Sequence, residues 1–281
     1  MQNKELIDQC EQKARQWLAP AFDKATRKAV QNMLDSDNKD TLIESFYKDL
    51  EFGTGGLRGI MGAGTNRMNI YTVGMATQGF ANYLKMNFKD KEQISVVVCH
   101  DCRNNSRLFA ETVANIFSAN GIKVYLFDDL RPTPECSFAI RHFKAQGGVN
   151  ITASHNPREY NGYKAYWDDG AQVLAPHDKG IIDQVNQVKI EDVKFKGDKN
   201  LIQIIGEDVD KAYLDKVKTV CIDPEVIKRQ HDLCIVYTPL HGAGRVIIPR
   251  SLQEWGFTNV HCVKEQMVKD GNFPTVDRPN P

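Results

Sequence analysis

The sequence carries no surplus charge: 36 basic residues stand against 36 acidic ones, and the formal net charge is zero. Proteins that hold nucleic acid or a membrane surface by bulk attraction have an excess of lysine and arginine. Neither partner is expected, and a small-molecule ligand is. No apolar run comes near the ~20 residues that cross a bilayer. The opening MQNKELIDQCEQKARQWL scatters charge where a secretion signal keeps an apolar core. The seven cysteines, odd in number and irregular in spacing, make no disulfide framework. These absences lead us to expect a reduced, cytoplasmic protein. Only Cys99 and Cys102 stand at CxxC spacing, with no second CxxC to complete a zinc site. We read them as a buried strand residue and a loop residue. GxSxG is also missing, which removes the nucleophile elbow of the serine hydrolases.

What is present alternates between short apolar runs and helical patterns. Leu6, Cys10, Ala14, Trp17 and Leu18 recur at near-helical spacing over residues 4–18, and a second helix is expected to start at Pro20. Six glycines fall between Glu51 and Asn66, a density that indicates a flexible loop with positive φ and no packed element. A long helical pattern follows in YTVGMATQGFANYLKMNF. ISVVVC (94–99), KVYLF (123–127) and GVNIT (148–152) then read as strands. The helices between them are SRLFAETVANIFSANG, with Ser106 as cap and Gly121 as terminator, and PECSFAIRHFKA. After a polar, lysine-rich connection over 187–200, a second unit begins near residue 207, with strands in DLCIVYTPLHGAG and VHCVKE flanking the helix RVIIPRSLQEWGF. The expected fold is α/β: a layered αβα domain with a mixed sheet over residues 1–206, then the start of a similar αβα domain over 207–281.

Chemistry concentrates beyond the third strand, in NITASHNPREYNGYK. Ligands of layered α/β folds bind at the carboxyl ends of strands. Ser154, His155, Asn156 and Lys164 gather a hydroxyl, an imidazole, an amide and an ammonium within eleven residues. Taken alone, such a cluster is a side-chain-stabilised turn. GTGGLRG (53–59) adds Arg58, whose planar fork suits a phosphate. HDCRNNSR (100–107) places Asp101, Arg103 and Ser106 after the first strand, as an anion site at a helix N-terminus or as capping and loop pairing. TPLHGAG (238–244) repeats the strand-to-glycine-loop arrangement, with a histidine read as structural.

TASHNP followed by YNGYK, after LEFGTGGLRGIMGAGTNRMNIYTV, resembles the α-D-phosphohexomutase superfamily of phosphoglucomutases and phosphomannomutases. The wording is most similar to its phosphoglucomutase and phosphopentomutase branch. The resemblance runs from about residue 40 to the C-terminus. It implies an isomerase that interconverts sugar 1-phosphate and 6-phosphate through a phosphoserine and a bisphosphate intermediate, activated by a sugar 1,6-bisphosphate. Ser154 would carry the phosphate, Lys164 would be the acid/base group, and His155 a second acid/base or orienting group. Arg58 would contact the transferring phosphoryl, and Asn156 would shape the loop. Mg²⁺ would bridge to the Ser154 phosphate, but the family's run of aspartate ligands does not occur in these 281 residues. The tail GNFPTVDRPNP looks like the stretch that precedes that run. The resemblance therefore also implies an N-terminal portion, inactive alone, whose sugar specificity (glucose, mannose or pentose) lies elsewhere. A non-catalytic sugar-phosphate binder on the same scaffold is the reading from another class.

Overall fold

The computed structural model describes residues 2–53, 55–277 and 279. Thr54 of the glycine-rich stretch and Arg278, Asn280 and Pro281 of the tail lie outside the described residues. In chain order the first elements are helices α1 (Gln2–Gln16), α2 (Lys24–Asp35) and α3 (Asp40–Phe46), strand β1 (Gly56–Ile60) and helix α4 (Ile70–Asn87). Then come β2 (Ser95–His100), α5 (Ser106–Ala119), β3 (Lys123–Phe127), α6 (Thr133–His142), β4 (Gly147–Ile151), β5 (Tyr160–Trp167) and α7 (His177–Val185). The remainder is β6 (Ile202–Ile205), α8 (Glu207–Lys218), α9 (Pro224–Arg229), β7 (Ile235–Tyr237), α10 (Gly244–Trp255) and β8 (Val260–Cys262).

Among the described residues, six strands form a sheet in the order β1-β5-β4-β2-β3-β6, and β7 pairs with β8 in a parallel two-stranded sheet. In the larger sheet β2, β3, β4 and β6 are mutually parallel, whereas β5 runs antiparallel to both β4 and β1. The sheet is mixed, as expected from the sequence. Successive side chains of a strand point to opposite faces, and β2 is buried on both. Val96 and Val98 join Phe80 and Leu84 of α4 and Val113 and Phe117 of α5 on one side. Val97 and Cys99 join Cys136, Ala139 and Ile140 of α6 and Val209 of α8 on the other. That split makes the αβα layering and explains why β2 reads as an unbroken apolar run.

Several expectations are corrected. The glycine-rich stretch does contain a packed element: Gly56–Ile60 is edge strand β1, with Arg58 opposite Gly162 of β5. At Gly56, φ is +147°, and a Cβ would sit 1.7 Å from the Tyr163 carbonyl oxygen, so the glycine permits this pairing. Pro20 does not open a helix; α2 begins at Lys24, where the Asp23 carboxylate accepts from the amides of Ala25 and Thr26. Ser106 is not the cap of α5 but its first residue, after Asn105 in a left-handed conformation. The 187–200 connection holds two short 3₁₀ turns, and Val193 within it is buried.

Helices α1–α3 form their own cluster around Trp17, Phe22, Leu42 and Phe46, which closes on Tyr71 of α4. The Tyr71 hydroxyl donates to Asp23 at 2.9 Å. Burial opposes ionisation of Asp23, but the bonds from Thr26, Tyr71 and Ala25 outweigh it and lower its pKa to about 2.

A buried ionic group joins α6 to α8. The Arg131 Nε and Nη2 donate to the two Asp210 oxygens at 2.6 and 3.0 Å. Glu135 is fully buried beside them, and neither of its oxygens has a hydrogen-bond partner among the described residues. Desolvation, with the Asp210 carboxylate adding to it, pushes the Glu135 pKa well above the carboxylate range. An acid whose folded pKa is raised stabilises the fold fully below its unfolded value of ~4.3. That stability is lost as pH rises toward the raised value. Glu135→Gln, neutral at every pH, is expected to match the wild type near pH 4 and to be more stable by over ~1 kcal/mol at pH 8. Urea-unfolding midpoints of the two proteins across this range check the divergence.

Candidate active site

The loop between β4 and β5 carries the predicted serine. The Ser154 amide donates to Thr152 Oγ1 at 3.0 Å, and the Asn156 amide to the Ala153 carbonyl at 3.1 Å. This tight turn puts Ser154 in the left-handed region, φ 56°, and leaves its side chain exposed at the apex. Non-glycine residues held in such a conformation cluster where a site needs a fixed group. The His155 Nδ1 lies 3.3 Å from Ser154 Oγ. Arg58, exposed on β1, donates from Nη1 to Asn156 Oδ1 at 3.3 Å. Lys164 sits in β5, opposite Gly56 of β1 and Asn150 of β4. Strand pairing thus brings residues about a hundred positions apart in sequence onto one side of the sheet.

Arg58, Ser154, His155 and Lys164 line one cavity of about 590 Å³, with Lys48 and Glu51 on its wall. The structure therefore gathers four of the five predicted residues on the cavity. Asn156 stands behind it, as the partner of Arg58. Three cationic side chains against one carboxylate suit an anion. The same donor set does not suit Mg²⁺, which demands near-octahedral oxygen ligands. The wall offers Glu51 as its one carboxylate, and no cluster of three metal-binding side chains exists among the described residues.

The residue that holds this loop was open to two readings in the sequence. Arg103 is 3% exposed and faces inward. Its Nη2 donates to the carbonyls of Ser154 (2.9 Å) and Asn156 (2.6 Å), and its Nη1 to those of Pro157 (2.9 Å) and Tyr160 (3.1 Å). Asp101 balances the charge, with Oδ2 3.4 Å from Arg103 Nε, while its Oδ1 accepts from the Arg103 amide and the Ser106 hydroxyl. Burial lowers the guanidinium's pKa, and Asp101 opposes that. Of the two readings, loop pairing is what these bonds show, while α5 has no side-chain cap. Cys99 is buried on β2, and burial raises the Cys102 thiol to about 12, reinforced by Asp101. Lys48 and Glu51 carry no motif of their own and reach the cavity from the segment before β1.

Residues 49–191 match the family model for phosphoglucomutase/phosphomannomutase, alpha/beta/alpha domain I, and residues 211–281 match domain II. The chain belongs to the phosphoglucomutase/phosphomannomutase family. It is 37% identical over 283 residues to a phosphopentomutase of Homo sapiens, covering 96% of this chain and 46% of the relative. It is 38% identical over 259 residues to a phosphoglucomutase of Staphylococcus haemolyticus, covering 90% and 46%. A phosphoglucomutase/phosphomannomutase family protein from Burkholderia thailandensis, 19% identical, shares the fold with a TM-score of 0.59 over 80% of this chain and 45% of that one. The chain spans about half the length of the curated relatives it matches.

The two arginines differ in kind, and mutation separates them. Arg103→Leu leaves Asp101 uncompensated and four carbonyls without their donor, and is expected to cost about 3–5 kcal/mol in urea unfolding. Arg58→Ala, at an exposed side chain, is expected to stay within ~0.5 kcal/mol of the wild type.

Proposed function

We propose that this chain carries the phosphate-accepting serine of a phosphoglucomutase-type intramolecular phosphotransferase, in which sugar 1-phosphate and 6-phosphate interconvert. The observation that carries the reading is the exposed, left-handed Ser154 at the apex of an anchored loop, on a cavity shared with Arg58 and Lys164. Phosphoryl transfer depends mainly on positioning and on neutralising the oxygens of the moving group. In the cycle, the phosphate on Ser154 passes to a free hydroxyl of the sugar phosphate. The sugar oxygen forms the new bond to phosphorus, the Ser154 oxygen leaves, and a bisphosphate results. After the bisphosphate turns over, its other phosphate returns to Ser154.

Each role follows from chemistry. Arg58 faces the equatorial oxygens with a planar fork. Lys164 moves the proton of the sugar hydroxyl. His155, next to Ser154 Oγ, orients the serine or shares in the proton transfer. Asn156 keeps Arg58 turned toward the loop. A sugar 1,6-bisphosphate is the donor that loads the serine. In this reading residues 1–206 form the first αβα unit and residues 207–281 begin the second, whose first helix α8 packs back on the first sheet through Val209 and Asp210. The curated relatives' names fit a glucose phosphate, exchanging C1 with C6, or a pentose phosphate, exchanging C1 with C5; phosphomannomutase is the further alternative.

The test is mass spectrometry of the protein at the full length of its relatives, after incubation with glucose 1,6-bisphosphate. An adduct of about 80 Da mapped to Ser154 is expected. Ser154→Ala is expected to lose the adduct, and Lys164→Met to slow its formation by about 10²-fold or more. Bound bisphosphate with an unmodified Ser154 makes the protein a sugar-phosphate binder instead.

A further inference from the structure

The four hydrogen bonds that the Arg103 Nη1 and Nη2 donate all run to carbonyls between Ser154 and Tyr160. Arg103 Cζ also lies over the face of the Phe273 ring, 5.6 Å from its centroid. Phe273 belongs to the segment that follows β8 and is 5% exposed. Its backbone is left-handed, φ 51°, an unfavourable setting for an aromatic residue. Something fixes it there.

The fixing group is His241 of the TPLHGAG loop, 1% exposed and also left-handed, φ 65°. Its Nδ1 lies 2.8 Å from the Val268 carbonyl oxygen and its Nε2 2.8 Å from Thr275 Oγ1. A carbonyl only accepts, so Nδ1 bears a hydrogen; in the neutral ring Nε2 then accepts from the Thr275 hydroxyl. That hydroxyl in turn accepts from Gln266 Nε2 at 3.1 Å. The imidazole thus spans residues 268 and 275, pinning both ends of the segment that presents Phe273, and it meets the Phe273 ring edge-on at 6.4 Å between centroids. The segment touches the first unit a second time at Asn104, whose Nδ2 donates to Asn272 Oδ1 at 2.9 Å. Gly271 lies against the Asn104 backbone so closely that a Cβ would be 2.4 Å from its nitrogen.

We propose that Phe273 is a positioning residue for the Ser154 loop, set from the β7/β8 unit by His241. Through the cation–ring contact at Arg103, the second unit controls how firmly the serine of the first is held. The proposal deepens the phosphoserine reading and rests on it only in taking Ser154 as the phosphate acceptor.

Native-state hydrogen exchange of the whole chain, followed by mass spectrometry, reads the loop without reference to activity. Phe273→Leu keeps an apolar side chain but loses the ring over the cation. It is expected to speed exchange in residues 153–160 about tenfold, while β2 and α5 keep their protection. Phe273→Tyr, which restores the ring, is expected to stay within about twofold of the wild type. Faster exchange confined to residues 263–277, with 153–160 unchanged, overturns the proposal. If Phe273→Leu unfolds the second unit, seen as lost protection in α10, Thr275→Val decides. It removes an exposed hydroxyl and is expected to speed loop exchange about threefold, and an unchanged loop again overturns the proposal. Absence of any phosphate adduct on wild-type Ser154 counts against the phosphoserine reading alone and leaves this result standing.

Discussion

A single buried cation organises the serine loop. Loops ordinarily run over the surface because their carbonyls need water. Here the carbonyls of Ser154, Asn156, Pro157 and Tyr160 turn inward, and the Arg103 guanidinium supplies the donors that water would have provided. Such an arrangement persists only if the cation is itself compensated, which Asp101 does from two residues away. The left-handed backbone at Ser154 is what this inward anchoring leaves at the apex. Exposure of the hydroxyl and rigidity of its support therefore have one origin.

The sheet supplies the other half of the geometry. Parallel strands β2 and β4 end on the same side, so the loop after β4 and the Asp101–Arg103 stretch after β2 meet there. The reversal of the chain into β5 brings Lys164 back beside them, and β1 adds Arg58 at the outer edge. Burial on both faces of β2, against α4 and α5 on one side and α6 and α8 on the other, makes this frame stiff.

How much of this is legible in the sequence follows from where each signal lies. Strands β2, β3 and β4 are short β-branched runs and read directly. Strand β5 does not, because YNGYKAYW mixes polar and apolar residues. Its Asn161 is buried only because the Asn104 carbonyl and the Ser106 hydroxyl await it. Strand β1 is masked by glycines that look like a loop and in fact permit close pairing. Ser154, Lys164 and Arg58 stand out only as parts of a family motif; strand pairing sets them on one cavity. The inward turn of Arg103 left no local trace, since its four acceptors lie some fifty residues downstream.

Strand β5 is laddered on both sides, by β1 and by β4. Side chains alternate along it, with Tyr163 and Ala165 packed in the α4 and α5 core on either side of Lys164. The two ladders act as a ruler, and its divisions are single residues. The preceding loop is held to length as well, by the Arg103 bonds to the Pro157 and Tyr160 carbonyls on either side of Arg158 and Glu159. One residue gained or lost inside the strand would trade an ammonium for an aromatic ring at the cavity wall.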